Sequence, residues 1–143
     1  MEKQYLNDIW TLYFHDNSAT WDNASFKNIA TISSVEDFCK IYKILHQDNY
    51  WLKGMFFIFR DDIMPRWEDS NNINGGCFSY KISTQEADEK WFDLCGKVLS
   101  ETLSNKECYN ANINGISITP KKNANVIRIW LQNNELVNPE SYN

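Results

Sequence analysis

The chain has 143 residues, with 14 Lys+Arg against 19 Asp+Glu and a formal net charge of −5. That length suits one domain with a real core, and 43% apolar with 23% charged residues is the balance of a folded chain, not a disordered one. The acidic balance argues against broad duplex binding and hence against DNA. No apolar run is long enough to span a bilayer, and Met1 leads into Glu2-Lys3-Gln4 with no secretory signal.

Residues 5–15 alternate Trp10, Leu12 and Phe14 against Thr11, Tyr13 and His15, the period of a strand with one buried face. DNSATWDN at 16–23 is rich in turn formers and reads as a loop bearing a lone tryptophan, Trp21. A short strand is expected at 26–32. Ser34 then stands as an N-cap before Glu36 and Asp37, and Val35, Phe38, Ile41, Tyr42 and Leu45 recur at helical spacing, which predicts an amphipathic helix over 34–46. MFFIFR at 55–60 reads as a strand. The connection from Asp61 to Gly76 is long, polar and punctuated by Pro and Gly, and it carries Trp67 and Glu68.

CFSYKI at 77–82 alternates as another strand. Thr84 is the expected cap of a second helix whose stripe of Ala87, Trp91, Leu94, Val98 and Thr102 carries it to about residue 104. Two further strands, 113–119 and 125–131, flank a basic tip, Pro120-Lys121-Lys122-Asn123-Ala124. The order β-β-α-β-β-α-β-β predicts an α+β domain over 1–131, an antiparallel sheet with helices on one face, followed by a polar tail over 132–143.

Cys39, Cys77, Cys95 and Cys108 stand far apart and the two histidines, His15 and His46, join no ligand cluster, so neither a metal site nor a catalytic nucleophile is expected, and reduced thiols fit a cytoplasmic chain. Two loop tryptophans admit two readings. Trp21 and Trp67 pin their loops, or their indoles form a slot for a flat ring, worth about 2 kcal/mol more if that ring is cationic. Glu68 could then accept two hydrogen bonds from an amidine-like edge such as that of guanine. Lys121 and Lys122, with Arg128 on the same strand face as Trp130, are either solvated or partners for a phosphate chain.

At these residues the chain resembles the cap-binding eukaryotic translation initiation factor 4E family. The matching segments are WTLYF, the lone Trp21 followed by SFKNIATISSVEDF, then GMFFIFRDDIMPRWED, Asn74-Gly75-Gly76, EKWFDLCGKVL and NGISITPKKNANVIRIW, in order over about residues 5–131. The resemblance implies a curved antiparallel sheet with the cap site on its concave side and two main helices on the convex face. It further implies that Trp21 and Trp67 sandwich 7-methylguanine, that Glu68 takes the guanine N1 and N2 hydrogens, and that Trp130 lies beside the N7 methyl group. Lys121 takes a phosphate-binding position, with Lys122 or Arg128 substituting for family cations that fall here on Val126 and Cys77.

The resemblance also implies a partner surface on the helical side, at Val35, Cys39, Phe92, Asp93 and Gly96, although the family usually shows a tryptophan where this chain has Cys39. As ordinary helix residues, Val35 and Phe92 admit a packing role instead. The family normally continues through a third, C-terminal helix, so a shortened form is expected. The implied function is binding of the 7-methylguanosine cap of mRNA and promotion of translation initiation through a scaffold protein of the initiation factor 4G type. No cofactor, enzymatic activity or membrane is expected, and a monomer is expected for the protein on its own. The alternative is a non-initiating protein of the same kind that sequesters caps or initiation partners.

Overall fold

The computed structural model describes residues 4–15, 26–47, 50–52, 54–61, 63–66, 68–104, 106–122 and 124–132. Its strands are β1 (Tyr5–His15), β2 (Phe26–Ser34), β3 (Met55–Arg60), β4 (Gly76–Ser83), β5 (Ile113–Pro120) and β6 (Ala124–Leu131), and its helices α1 (Val35–Gln47), α2 (Thr84–Leu99) and the short α3 (Glu107–Ala111). The strands form one sheet in the order β2-β1-β3-β5-β6-β4, every pairing antiparallel. The predicted α+β class therefore holds, and the predicted element order holds with the short α3 added between α2 and β5.

Helix α1 starts where the sequence places it. The Asp37 N–H donates to Ser34 Oγ at 3.1 Å, and the Ser33 hydroxyl and amide both donate to Asp37 Oδ2, so cap and first turn satisfy each other. Helix α2 departs from expectation at both ends. Thr84 is its first residue rather than its cap, and Ser83 occupies the cap position without a side-chain bond. The helix stops at Leu99 because Glu101 takes a left-handed backbone, φ 58°, while the Ser100 and Thr102 amides donate back to Gly96 and Lys97. Thr102 thus leaves the stripe, and Leu103 folds back into the core at 3% exposure.

The main core lies between the sheet and the helices. Trp10, Leu12, Phe56, Ile58, Ile116, Ile118, Ile127 and Ile129 face Phe38 of α1 and Trp91, Cys95 and Val98 of α2, with Trp51 from a 3-10 turn (Tyr50–Leu52) wedged among them. Trp51 meets Phe56 edge-on at 4.8 Å and Trp91 at 5.5 Å. Arg60 ties the layers together. Its guanidinium reaches Asp8 at 3.1 Å, Glu101 at 3.0 Å and the carbonyls of Asn110 and Ile113, and lies over the Trp10 ring.

The other sheet face has an apolar layer of its own, Phe26, Met55, Phe57, Phe59, Ile63 and Trp130. That layer corrects the reading of β1 as half exposed. Thr11 and His15, on the face expected to be wet, are buried, and the His15 ring packs on Phe26 at 4.7 Å. No helix among the described residues is long and apolar enough to cross a membrane.

Candidate functional site

Alternation along β5 and β6 sorts their side chains into two sets. Ile116, Ile118, Ile127 and Ile129 turn to the helices, while Ser117, Thr119, Arg128 and Trp130 turn away. On that second face opens a cleft of about 420 Å³, within the range of small-molecule sites. Phe26, Met55 and Phe57 line it beside Ser117, Thr119 and Trp130, and the connection after β3 adds Pro65, Arg66 and Glu68. Lys121 comes from the β5–β6 turn, closed by its N–H donating to the Ala124 carbonyl at 2.8 Å. Arg66, Lys121 and Arg128 against Glu68 alone give the cleft an excess of positive charge on a chain of net −5, a field that favours anions.

Trp130 is held rigidly. It is 5% exposed, meets Phe59 edge-on at 5.2 Å and Phe57 at 6.4 Å, and its indole N–H donates to Ser117 Oγ at 3.1 Å. Gly115, opposite Trp130 in the ladder, permits this, because a Cβ there would stand 2.4 Å from Phe59 Cγ. Glu68 is held loosely instead. Its side chain is 72% exposed and its only ion pair among the described residues is with Arg66 at 3.5 Å, a solvated contact of little strength that leaves the carboxylate available to a ligand.

The connection bearing Glu68 is fixed by buried amides. Asn72 Nδ2 donates to the carbonyls of Met64 at 2.9 Å and Arg66 at 2.7 Å, and Asn114 of β5 donates to Asn72 Oδ1 at 2.8 Å and to the Asn71 carbonyl at 2.7 Å. Asp69 adds its carboxylate to the Met64 and Asn71 amides. A polar segment that would otherwise wander is thereby bolted to the sheet. Gly75 ends it where a Cβ would lie 1.6 Å from the Leu131 carbonyl oxygen, so only glycine lets the chain enter β4 there.

Four residues expected in one site, Glu68, Lys121, Arg128 and Trp130, line this single cleft although up to 62 positions separate them. Lys122 is exposed and does not line it, so the structure does not bring this expected cation to the cleft. Trp21 and Trp67 lie outside the described residues. The described residues flanking position 67, Arg66 and Glu68, both line the cleft, and Phe26, the first described residue after Trp21, lines it too. Arg66, Ser117 and Thr119 were not anticipated. The Ile-Ser-Ile-Thr alternation at 116–119 carried the signal for the last two.

On the helical side, Val35 and Phe92 are 40% and 41% exposed. Phe92 stacks on Phe38 at 5.7 Å and touches Tyr42, so it is both a packing residue and a surface one. Asp93 pairs with Lys97 at 3.3 Å, Gly96 faces open space, and Cys39 is a half-buried free thiol. The residues expected on this surface are thus accessible to a partner.

Comparison with known proteins agrees with this architecture. The family model for eukaryotic initiation factor 4E matches residues 5–141. The chain is 31% identical over 135 residues to eukaryotic translation initiation factor 4E of Candida glabrata, covering 90% of this chain and 63% of that one. It is 28% identical over 140 residues to the same factor of Saccharomyces cerevisiae, covering 93% and 64%. It therefore spans a little under two thirds of the length of these relatives. Schistosome eIF4E complexed with m7GpppG and 4E-BP superposes with a TM-score of 0.83 at 22% identity, covering 99% of this chain and 78% of that one. Ascaris suum eIF4E-3 with m7G cap gives 0.79 at 23%, covering 93% and 76%. At such identities the superpositions establish a shared fold, and the family match over nearly the whole chain establishes more: this protein belongs to the eukaryotic initiation factor 4E family.

Proposed function

We propose that the cleft binds the 7-methylguanosine cap at the 5′ end of mRNA, and that the protein promotes translation initiation in the cytoplasm by presenting capped RNA to a scaffold protein on its helical side. The observation that carries this reading is the convergence of Glu68, Trp130, Lys121 and Arg128 on one cleft of suitable volume. In this reading Trp21 and Trp67 stack on either side of the base. Methylation at N7 makes that base cationic, and the two indole faces then contribute cation–π attraction that neutral guanine lacks. Glu68 accepts the N1–H and the exocyclic amine, a charge-assisted pair of bonds. Trp130, nearly buried and fixed by Ser117, contributes a rigid apolar wall beside the methyl group. Lys121 and Arg128 take the phosphates. The protein recognises and does not turn over.

Titration of intrinsic tryptophan fluorescence with 7-methylguanosine triphosphate and with GTP tests the site. Strong quenching by the methylated nucleotide alone is expected, and equal weak quenching by both overturns the assignment. A second reading is favoured by one residue. Cys39 offers a small thiol where an aromatic anchor would strengthen docking, so the protein could hold caps or partners without joining a scaffold. Cap-resin purification separates the two: co-purifying initiation scaffold supports the first, a bare cap complex the second.

A further inference from the structure

Strand register places one more cation on the face that bears the cleft. In the β6–β4 ladder Arg128 stands opposite Ser79 and Val126 opposite Lys81, and in the β5–β6 ladder Ser117 stands opposite Arg128 and Thr119 opposite Val126. Directly opposed residues of antiparallel strands share a face. Ser117, Thr119 and Arg128 line the cleft, so Lys81 projects from the same side, one strand farther out on the sheet edge. It is a diagonal neighbour of Arg128, at a spacing of roughly 7–8 Å. Val126, between Thr119 and Lys81, is apolar, so positive charge at that level of the sheet comes from β4 and not from β6.

Three of the described lysines and arginines have answering carboxylates. Arg60 has Asp8 and Glu101, Lys97 has Asp93, and Arg66 has Glu68. Among the described residues, Lys121, Arg128 and Lys81 have none within ion-pair distance. Three uncompensated cations on one face of a chain with net charge −5 form a local anion track that leads from the cleft toward the β4 edge.

We propose that Lys81 is the outer member of a phosphate-binding row, Lys121–Arg128–Lys81, and that it holds the phosphate farthest from the base in a 5′-linked triphosphate. This rests on the cap reading for the seat of the base. Lys81 acts as a mobile point charge, and because it does not line the cleft it leaves base recognition untouched.

The test compares 7-methylguanosine mono-, di- and triphosphate and GTP on the full chain, in wild type, K81A and K81R, at two salt concentrations. K81A should bind the triphosphate about three- to tenfold more weakly, with a shallower salt dependence, and the monophosphate unchanged; K81R should restore the triphosphate. Unchanged triphosphate binding in K81A, or equal weakening of mono- and triphosphate, overturns the proposal. If wild type binds GTP and the methylated triphosphate alike, the base reading fails on its own. Lys81 is then judged on GTP: selective loss in K81A supports the row, and no loss overturns it. A chain that binds no triphosphate has no such row.

Discussion

Asn114 donates its side-chain amide to Asn72 Oδ1 at 2.8 Å, with the two residues 1% and 0% exposed, and this turns Asn72 so that its own amide reaches the Met64 and Arg66 carbonyls. A strand residue thereby sets the shape of the connection that carries Glu68. Asn114→Leu keeps the bulk and removes the donor, leaving Asn72 Oδ1 and the Asn71 carbonyl short of a partner. Urea unfolding should show a loss of about 2 kcal/mol, and cap-analogue affinity should fall in the protein that remains folded. Unchanged stability and affinity would show that the connection holds itself.

Glu68 is exposed and lightly paired, so its removal should spare the fold while weakening the ligand. Glu68→Ala and Trp67→Ala should each reduce affinity for 7-methylguanosine triphosphate on the order of 10- to 100-fold. Melting temperature should not change in Glu68→Ala. Retention on cap resin after both changes would place the base elsewhere.

Gly96 faces open space within α2, and a methyl group added there would meet no atom within 4 Å outside its own helix backbone and chain neighbours. Gly96→Ala should therefore raise stability by about 0.5–1 kcal/mol through helix propensity alone. A melting temperature that falls would mean a neighbour does approach that face.

Cys39 sits half-buried on α1, on the side of the fold where Phe92 is exposed. Cys39→Trp should tighten binding of an amphipathic helical scaffold peptide by about tenfold or more, the scale of an aromatic anchor, as read by calorimetry. No gain would mean that the peptide docks away from position 39.

Burial pushes the Cys95 thiol well above its usual range, and burial likewise raises the Tyr42 hydroxyl, with Asp88 adding to it. The sign follows from linkage. Both groups hold their protons longer folded than unfolded, so their contribution is complete below the unfolded values and is lost as pH rises, from roughly pH 8.5 for the thiol and roughly pH 10 for the tyrosine. Stability should decline on that alkaline side, and Cys95→Ala should flatten the earlier part of the decline. A thiol reagent should reach Cys95 only on unfolding.

Much of this fold is legible in the residues, because alternation and capping are local. Trp10-Thr-Leu-Tyr-Phe and Met55-Phe-Phe-Ile-Phe-Arg announce strands, and Ser34 announces a helix start. The end of α2 is not legible. Thr102 continues the helical spacing and no Gly or Pro intervenes; what stops the helix is Glu101, left-handed in the turn after α2 and paired with Arg60 of β3. Helix α3 spans Glu107–Ala111, too short to show a period. At the site, residue chemistry singled out Glu68, Lys121, Lys122 and Arg128 and the family resemblance added Trp130, whereas Arg66, and Lys81 as proposed above, emerge only with connection geometry and register. Lys122 adjoins Lys121 in the sequence but does not line the cleft.

The two-sided strand β6 couples the hydrophobic core to the cleft. Ile127, Ile129 and Leu131 are fully buried against the helices while Arg128 and Trp130 alternate with them toward the cleft. A slip of one position would drive a guanidinium and an indole into the apolar interior and strand three aliphatic residues in water. The cleft face is therefore policed by the interior: an insertion or deletion that shifts this strand's register disturbs the core as well, so the cleft residues of β6 can change most freely by substitution.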